Sequence, residues 1–168
     1  MSQPDAETLL AHLAAAMTGA VGRDTALVGI HSGGVWIAER LHAMLGLALP
    51  LGMLDVSFYR DDYQSRGLKT GVRPSAVPFE VQGRDLVLVD DVLYTGRTIR
   101  AALNVLFDYG RPARVRLAAL VDRGGRELPI DAAFVGGVMQ VAPGDSVRLD
   151  RGADGRLTLT VTGPANAG

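Results

Sequence analysis

Apolar positions along the chain follow two alternating rhythms. Over residues 4–18, Leu9, Leu13, Ala16 and Met17 recur at helical spacing and predict a helix. Residues 24–30, DTALVGI, form a short unbroken apolar run that predicts a buried strand. HSGG follows at 31–34. A second helical pattern then covers 35–45, with Ile37, Leu41, Met44 and Leu45 on one face and Gly46 placed to end it. Residues 50–59, PLGMLDVSFY, predict a second strand, 84–90 a third and 114–121 a fourth. Between the last two, residues 98–108 predict a helix that buries Ile99, Ala102, Leu103, Leu106 and Phe107, and Gly110 and Pro112 stop it. Shorter strands are expected at 132–139, 146–149 and 157–162, the last pairing back across RGADGR as a hairpin.

Strands that alternate with helices and read as continuous apolar runs predict an α/β fold: a mainly parallel sheet covered on both faces. Ligands of such sheets sit beyond the carboxyl ends of the strands. Residues 60–80 show no period and carry Gly67, Gly71, Pro74 and Pro78. An aperiodic stretch longer than roughly 12–15 residues inside a compact domain points to a functional or disordered loop. The closing GPANAG is expected to be disordered. There is no internal repeat and no linker, so one domain is expected.

Composition narrows this further. The chain has 168 residues and is 48% hydrophobic, enough for a single sizeable core. A net charge of −1 gives no global signature of a nucleic-acid or membrane surface. Lys69 is the sole lysine, so the basic groups are arginines, suited to bidentate contacts with phosphate or carboxylate. The absence of cysteine excludes disulfides, thiolate metal sites and a thiol nucleophile. Asp5 and Glu7 near the start do not fit a secretory signal, and no apolar run approaches the roughly 18 residues that cross a bilayer. The expected setting is a soluble, cytoplasmic protein with no membrane partner.

The candidate chemistry lies in LVLVDDVLYTGRTIRAAL, residues 86–103. Asp90 and Asp91 close the third strand, where a turning chain lets both carboxylates reach one ligand. Ionised side by side they repel, unless ribose hydroxyls donate to them or Mg²⁺ shares their charge. YTGRT then opens a helix. The first amides of a helix lack partners and its dipole favours an anion there. Gly96 admits close backbone approach, and the hydroxyls of Thr95 and Thr98 add donors. Acids for a diol, followed by amides for a phosphate, describe a pocket for a ribose 5-phosphate.

VLVDDVLYTGRTIRAAL resembles the phosphoribosyl pyrophosphate (PRPP) motif of type I phosphoribosyltransferases. With YTGRT it is similar to the PyrR family, pyrimidine regulatory proteins that are also uracil phosphoribosyltransferases. LDVSFYRDD at 54–62, FDYGRPARV at 107–115 and LVDRGGRELPI at 120–130 extend the resemblance over roughly residues 25–150. It implies the type I fold as one domain over 1–163, with a flexible lid at 60–80, a C-terminal hood at about 131–162 and a tail at 164–168.

The resemblance also implies roles. Asp90 and Asp91 would hold the ribose hydroxyls, Asp91 through Mg²⁺. Val92, Leu93, Tyr94, Thr95, Gly96, Arg97 and Thr98 complete the PRPP- and UMP-binding string. His31, Ser32, Gly33 and Gly34 fall at the pyrophosphate loop, which in this family often holds a non-proline cis peptide. Arg60 at the lid hinge would meet the pyrophosphate, and the hood, with Met139 and Val141, would read the base through its backbone. Tyr94 stands where some purine relatives carry an Asp that acts on the base, which favours a pyrimidine.

The partners so implied are PRPP, uracil, UMP and further copies of the chain, as a homodimer or higher assembly. Pyrimidine operon mRNA is a further partner, with Arg123 and Arg126 as candidate contacts, although Asp131 and Gly137 stand where regulatory members carry basic residues. Three readings follow: a uracil phosphoribosyltransferase, an mRNA-binding attenuation regulator that keeps the pocket as a UMP sensor, and a phosphoribosyltransferase for another base.

Overall fold

A computed structural model describes residues 3–57 and 75–164. Arg60, the greater part of the expected lid and residues 165–168 of the expected tail lie outside the described residues. Helix α1 spans Ala6–Met17, β1 Ala26–Ile30, α2 Gly33–Leu45 and β2 Gly52–Leu54. They are followed by β3 at Asp85–Leu93, α3 at Arg97–Phe107, β4 at Arg114–Asp122 and β5 at Phe134–Val138. Strands β6 at Ser146–Arg151 and β7 at Leu157–Thr162 close the chain.

Five strands form one sheet in the order β2-β1-β3-β4-β5, every pair of neighbours parallel. Side chains alternate across it, as a strand requires. Val87 and Val89 of β3 join α1, α2 and the β6–β7 pair in one core. Leu86 and Leu88 join Ile99, Ala102 and Leu106 of α3 in the other. Strands β6 and β7 form a separate antiparallel pair, and Leu149, Leu157 and Leu159 seat it on the α1–α2 side. Asp5 caps α1 by accepting from the Thr8 amide at 3.0 Å. Glu7 ties α1 to α2 through Arg40 and accepts from the Leu157 amide. Gly46, with φ of +61°, ends α2 where its position in the sequence placed it. No helix among the described residues is long and apolar enough to cross a membrane.

Several boundaries differ from the sequence reading. Strand β3 does not stop at Asp90, because β4 continues beside it and pairs Val92 with Val121 and Leu93 with Asp122. Strand β2 is an edge strand of three residues, since β1 offers it partners only from Val28 to Ile30. Residues 75–80, expected in the lid, are fastened to the body. Ala76 exchanges two backbone hydrogen bonds with Met53 at 2.8 Å, and Phe79 packs into the α3-side core. Strand β5, expected within the hood, is the fifth strand of the main sheet. Phe107 and Met44 are about half exposed, so their helices turn a narrower face inward than the apolar pattern allowed.

Helix α2 sits unusually close to the sheet. A Cβ on Gly29 would stand 2.7 Å from Cα of Val35 and 2.9 Å from the carbonyl oxygen of Gly34. Both obstacles are backbone and cannot rotate away. Gly29→Ala should therefore destabilise the fold by about 1–3 kcal/mol, the usual cost of overpacking a tight interior. Chemical denaturation of the two proteins measures the difference, and an unchanged midpoint would contradict the close packing.

Candidate functional site

In the strand order, β1 leads to β2 on one side and has β3 on the other. The loop after β1 and the end of β3 thus face each other at the point where the connections diverge, the expected ligand crevice of a parallel sheet. The loop His31–Ser32–Gly33–Gly34 contains a non-proline cis peptide between His31 and Ser32. The His31 amide donates to the Leu54 carbonyl at 2.9 Å, and the Ser32 carbonyl accepts from Val35 and Trp36 to start α2. Asp91 comes from the strand next door. A Cβ on Gly33 would collide with the Asp91 carboxylate, and one on Gly34 would collide with the Val89 carbonyl oxygen. Glycine at both positions lets loop and carboxylate share one space.

Asp90 is 5% exposed and accepts from the Asp91 amide at 2.9 Å. Asp91 is half-buried and accepts from the Val92 amide at 2.8 Å. Leu93 is fully buried in the α3-side core, so its side chain belongs to packing and only its backbone borders the site. Gly96 precedes α3 with φ of +94°, a left-handed conformation that a side chain would oppose, and Ile130 lies 3.0 Å from where its Cβ would be. The Thr95 hydroxyl accepts from the Arg97 amide at 3.2 Å. Thr98 stands half-buried in the first turn.

Arg123 and Arg126, singled out as RNA contacts, both turn inward. The Arg123 guanidinium lies 3.9 Å from the centre of the Tyr94 ring and donates to the Asp145 carbonyl at 2.8 Å. Arg126 grips Asp122 through two bonds of 2.9 and 2.7 Å and donates to the carbonyls of Tyr94 and Ile130. Asp131 approaches Arg126 at 3.6 Å.

A cleft of about 390 Å³ lies between the end of β3 and the turn before β6, lined by Val92, Tyr94, Arg123, Gly144, Asp145 and Val147. Of the residues expected to read a base through the hood's backbone, Met139 has its side chain in the α1–α2 core and its amide donating to the Asp122 carbonyl, and Val141 packs beside it. Residues 144–147 hold the position at the cleft. They fall inside the expected hood, but the sequence reading did not single them out, because a polar turn, PGDS, carries no chemical signature. Glu127 was missed too. It accepts from Arg97 at 2.8 Å from 30 positions away.

Among the described residues no three His, Asp or Glu side chains gather to hold a metal. The donor set present is Asp90 and Asp91. It fits Mg²⁺, which is commonly bound by one or two carboxylates together with the oxygens of a phosphorylated substrate.

A parallel sheet with a glycine loop, paired acids and an open helix N-terminus at one switch point defines a phosphoribosyltransferase, and a family model described as "Phosphoribosyl transferase domain" matches residues 2–147. Within that class the chain belongs to the PyrR family. A protein named Bifunctional protein PyrR from Pseudomonas fluorescens is 48% identical over 163 residues, 95% of this chain and 97% of its own. Another, from Nitrosococcus oceani, is 57% identical over 126 residues, 74% of this chain and 71% of its own.

Solved structures share the type I fold. A hypoxanthine-guanine phosphoribosyltransferase from Bacillus anthracis superposes with a TM-score of 0.65 at 16% identity, covering 83% of this chain and 85% of that one. An HGPRT-ase from Leishmania tarentolae in complex with GMP gives 0.64 at 15% identity, covering 84% and 82%.

The Arg126 guanidinium holds the Asp122 carboxyl below the usual carboxylate range, with a further contribution from the Gly124 amide. A carboxyl whose folded pKa is depressed stabilises the fold above its unfolded pKa, near 4, and loses that contribution as pH falls through the folded value. Asp122→Asn should therefore cost stability at pH 6–7, and the gap to the parent should close as pH falls below about 4. Denaturation midpoints across that range measure it. A gap that does not change with pH would contradict the pair.

Proposed function

We propose that this phosphoribosyltransferase transfers the phosphoribosyl group of PRPP to uracil, giving UMP and pyrophosphate. The observation that carries this reading is the meeting of Asp91 with the 31–34 loop, one turn before the helix N-terminus at Gly96. Asp90 and Asp91 accept from the ribose hydroxyls. The turn from Thr95 to Thr98 takes the 5-phosphate with its backbone amides and the hydroxyls of Thr95 and Thr98, where the start of a helix and its dipole favour an anion. The loop from His31 to Gly34 faces the pyrophosphate, and Arg60 is the side chain proposed to meet it.

Displacement at the anomeric carbon passes through an oxocarbenium-like state, so the site's task is to hold the sugar in line and stabilise separating charge. Mg²⁺, held by Asp91 together with oxygens of the substrate, would screen the leaving diphosphate. The base lies in the cleft of Tyr94, Arg123 and residues 144–147. Tyr94 offers no carboxylate to a purine nitrogen, which supports a pyrimidine. The exposure of Phe107 and Tyr109 supports the homo-oligomer implied by the resemblance.

Turnover should be found with uracil and not with hypoxanthine or guanine. Activity confined to a purine would replace this reading with the third. Asp91→Asn should lower turnover by about 100-fold or more while the thermal midpoint stays within a few degrees, since it keeps the shape of the side chain and removes its charge. Near-normal turnover would overturn the role given to Asp91.

The relatives' name, Bifunctional protein PyrR, supports a second activity, and the one proposed here, from the sequence resemblance, is UMP-dependent binding of pyrimidine operon leader RNA. An electrophoretic shift that strengthens with UMP would support it. No shift below micromolar protein would leave the enzyme alone.

A further inference from the structure

We infer that Arg126 is the positioning residue of the phosphate turn, acting through the backbone of Tyr94 and Thr95. The inference rests on the reading of residues 94–98 as the 5-phosphate site. The segment from Asp122 to Ile130 wraps that turn from behind. Arg126 Nη1 donates to the Tyr94 carbonyl at 3.0 Å. The amides of Glu127 and Leu128 donate to the Thr95 carbonyl at 2.9 and 3.1 Å. Glu127 holds Arg97 by its Nε, and Ile130 lies against Gly96. The ring of Tyr94 carries Arg123.

The consequence follows from peptide planarity. In a trans peptide the carbonyl of one residue and the N–H of the next lie in one plane and point in opposite directions. A donor pulling on the Tyr94 carbonyl therefore aims the Thr95 N–H away from Arg126. Donors on the Thr95 carbonyl likewise aim the Gly96 N–H away from the segment behind. Each such bond also polarises its peptide and strengthens the N–H at the far side. The turn is thus set before any anion arrives, and the ordering cost is not met on binding.

Arg126 suits this task because its planar fork reaches several acceptors at once. Nε serves the Ile130 carbonyl at 2.7 Å, Nη1 serves Tyr94 and Asp122, and Nη2 completes the bidentate pair with Asp122. Asp122 balances its charge, so Arg126 contributes orientation more than long-range field. A lysine would keep the charge and one or two bonds but could not span the acceptors.

The test compares Arg126→Lys with the parent for binding of UMP and of uridine, which lacks the phosphate, alongside PRPP kinetics and thermal midpoints. UMP affinity should fall and KM for PRPP rise by about tenfold, with kcat little changed, as for the loss of one charge-assisted positioning bond. Uridine binding should not change. Equal losses for UMP and uridine would mean general loosening and would overturn the inference. So would an unchanged KM accompanied by loss of leader-RNA binding, which would make Arg126 a nucleic-acid contact.

Asp122→Asn provides a second variant should the first fail to fold. It keeps one acceptor for Arg126, so the same phosphate-specific loss should appear at about threefold, and its absence would count against the clamp. If the parent protein transfers no phosphoribosyl group and binds no UMP, the functional reading fails instead.

Discussion

No side chain separates the first turn of α2 from the sheet beneath it. Gly29 on β1 faces the Gly34 carbonyl and the Val35 backbone, and Gly34 faces the Val89 carbonyl of β3. This backbone-on-backbone seat fixes where the His31–Gly34 loop stands. It brings Gly33 against Asp91 although the two are far apart in the chain. A larger residue at any of these glycines would lift α2 and open the crevice at the switch point. The candidate site is in this sense a product of how closely one helix can approach two parallel strands.

The same economy governs the charges. At the amino edge of the sheet, Asp85 accepts from Thr25, Arg114 and Arg116, and the arginine pairing holds its carboxyl below the usual range. It fastens β3 to β4 where no ligand is expected. At the carboxyl edge, Asp122 is claimed by Arg126 in the same way, while Asp90 and Asp91 accept from neighbouring amides along the strand. Arginine-paired acids at both edges thus brace the frame, and the strand's own backbone steadies the two carboxylates assigned to the sugar.

Behind the turn at residues 94–98, the Asp122–Ile130 segment ties the end of β4 to the end of β3. It links the turn to the cleft before β6, because Arg123 touches both Tyr94 and the Asp145 carbonyl. The positions proposed for phosphate and base therefore share one support. Its arginines, which by composition alone suit an external phosphate, are occupied within the fold.

The local order of residues was enough for the alternation of elements, the parallel sheet, the paired acids and the glycine that opens α3. These depend on periodicity and on neighbours a few positions away. Even so, local pattern misplaced the end of β3, since a strand continues as long as its partner does, and it buried Phe107, which the helix carries past the sheet. It could not show that Met139 fills the core, that residues 144–147 line the cleft, or that Arg126 faces inward. An arginine's partner is chosen by whichever carboxylate and carbonyls the fold brings within 3 Å, and contacts such as Glu127 to Arg97 span 30 positions. The sequence by itself determined which groups could do chemistry. The tertiary structure decided which of them meet, because that is set by strand order and by how closely the glycines let backbones pack.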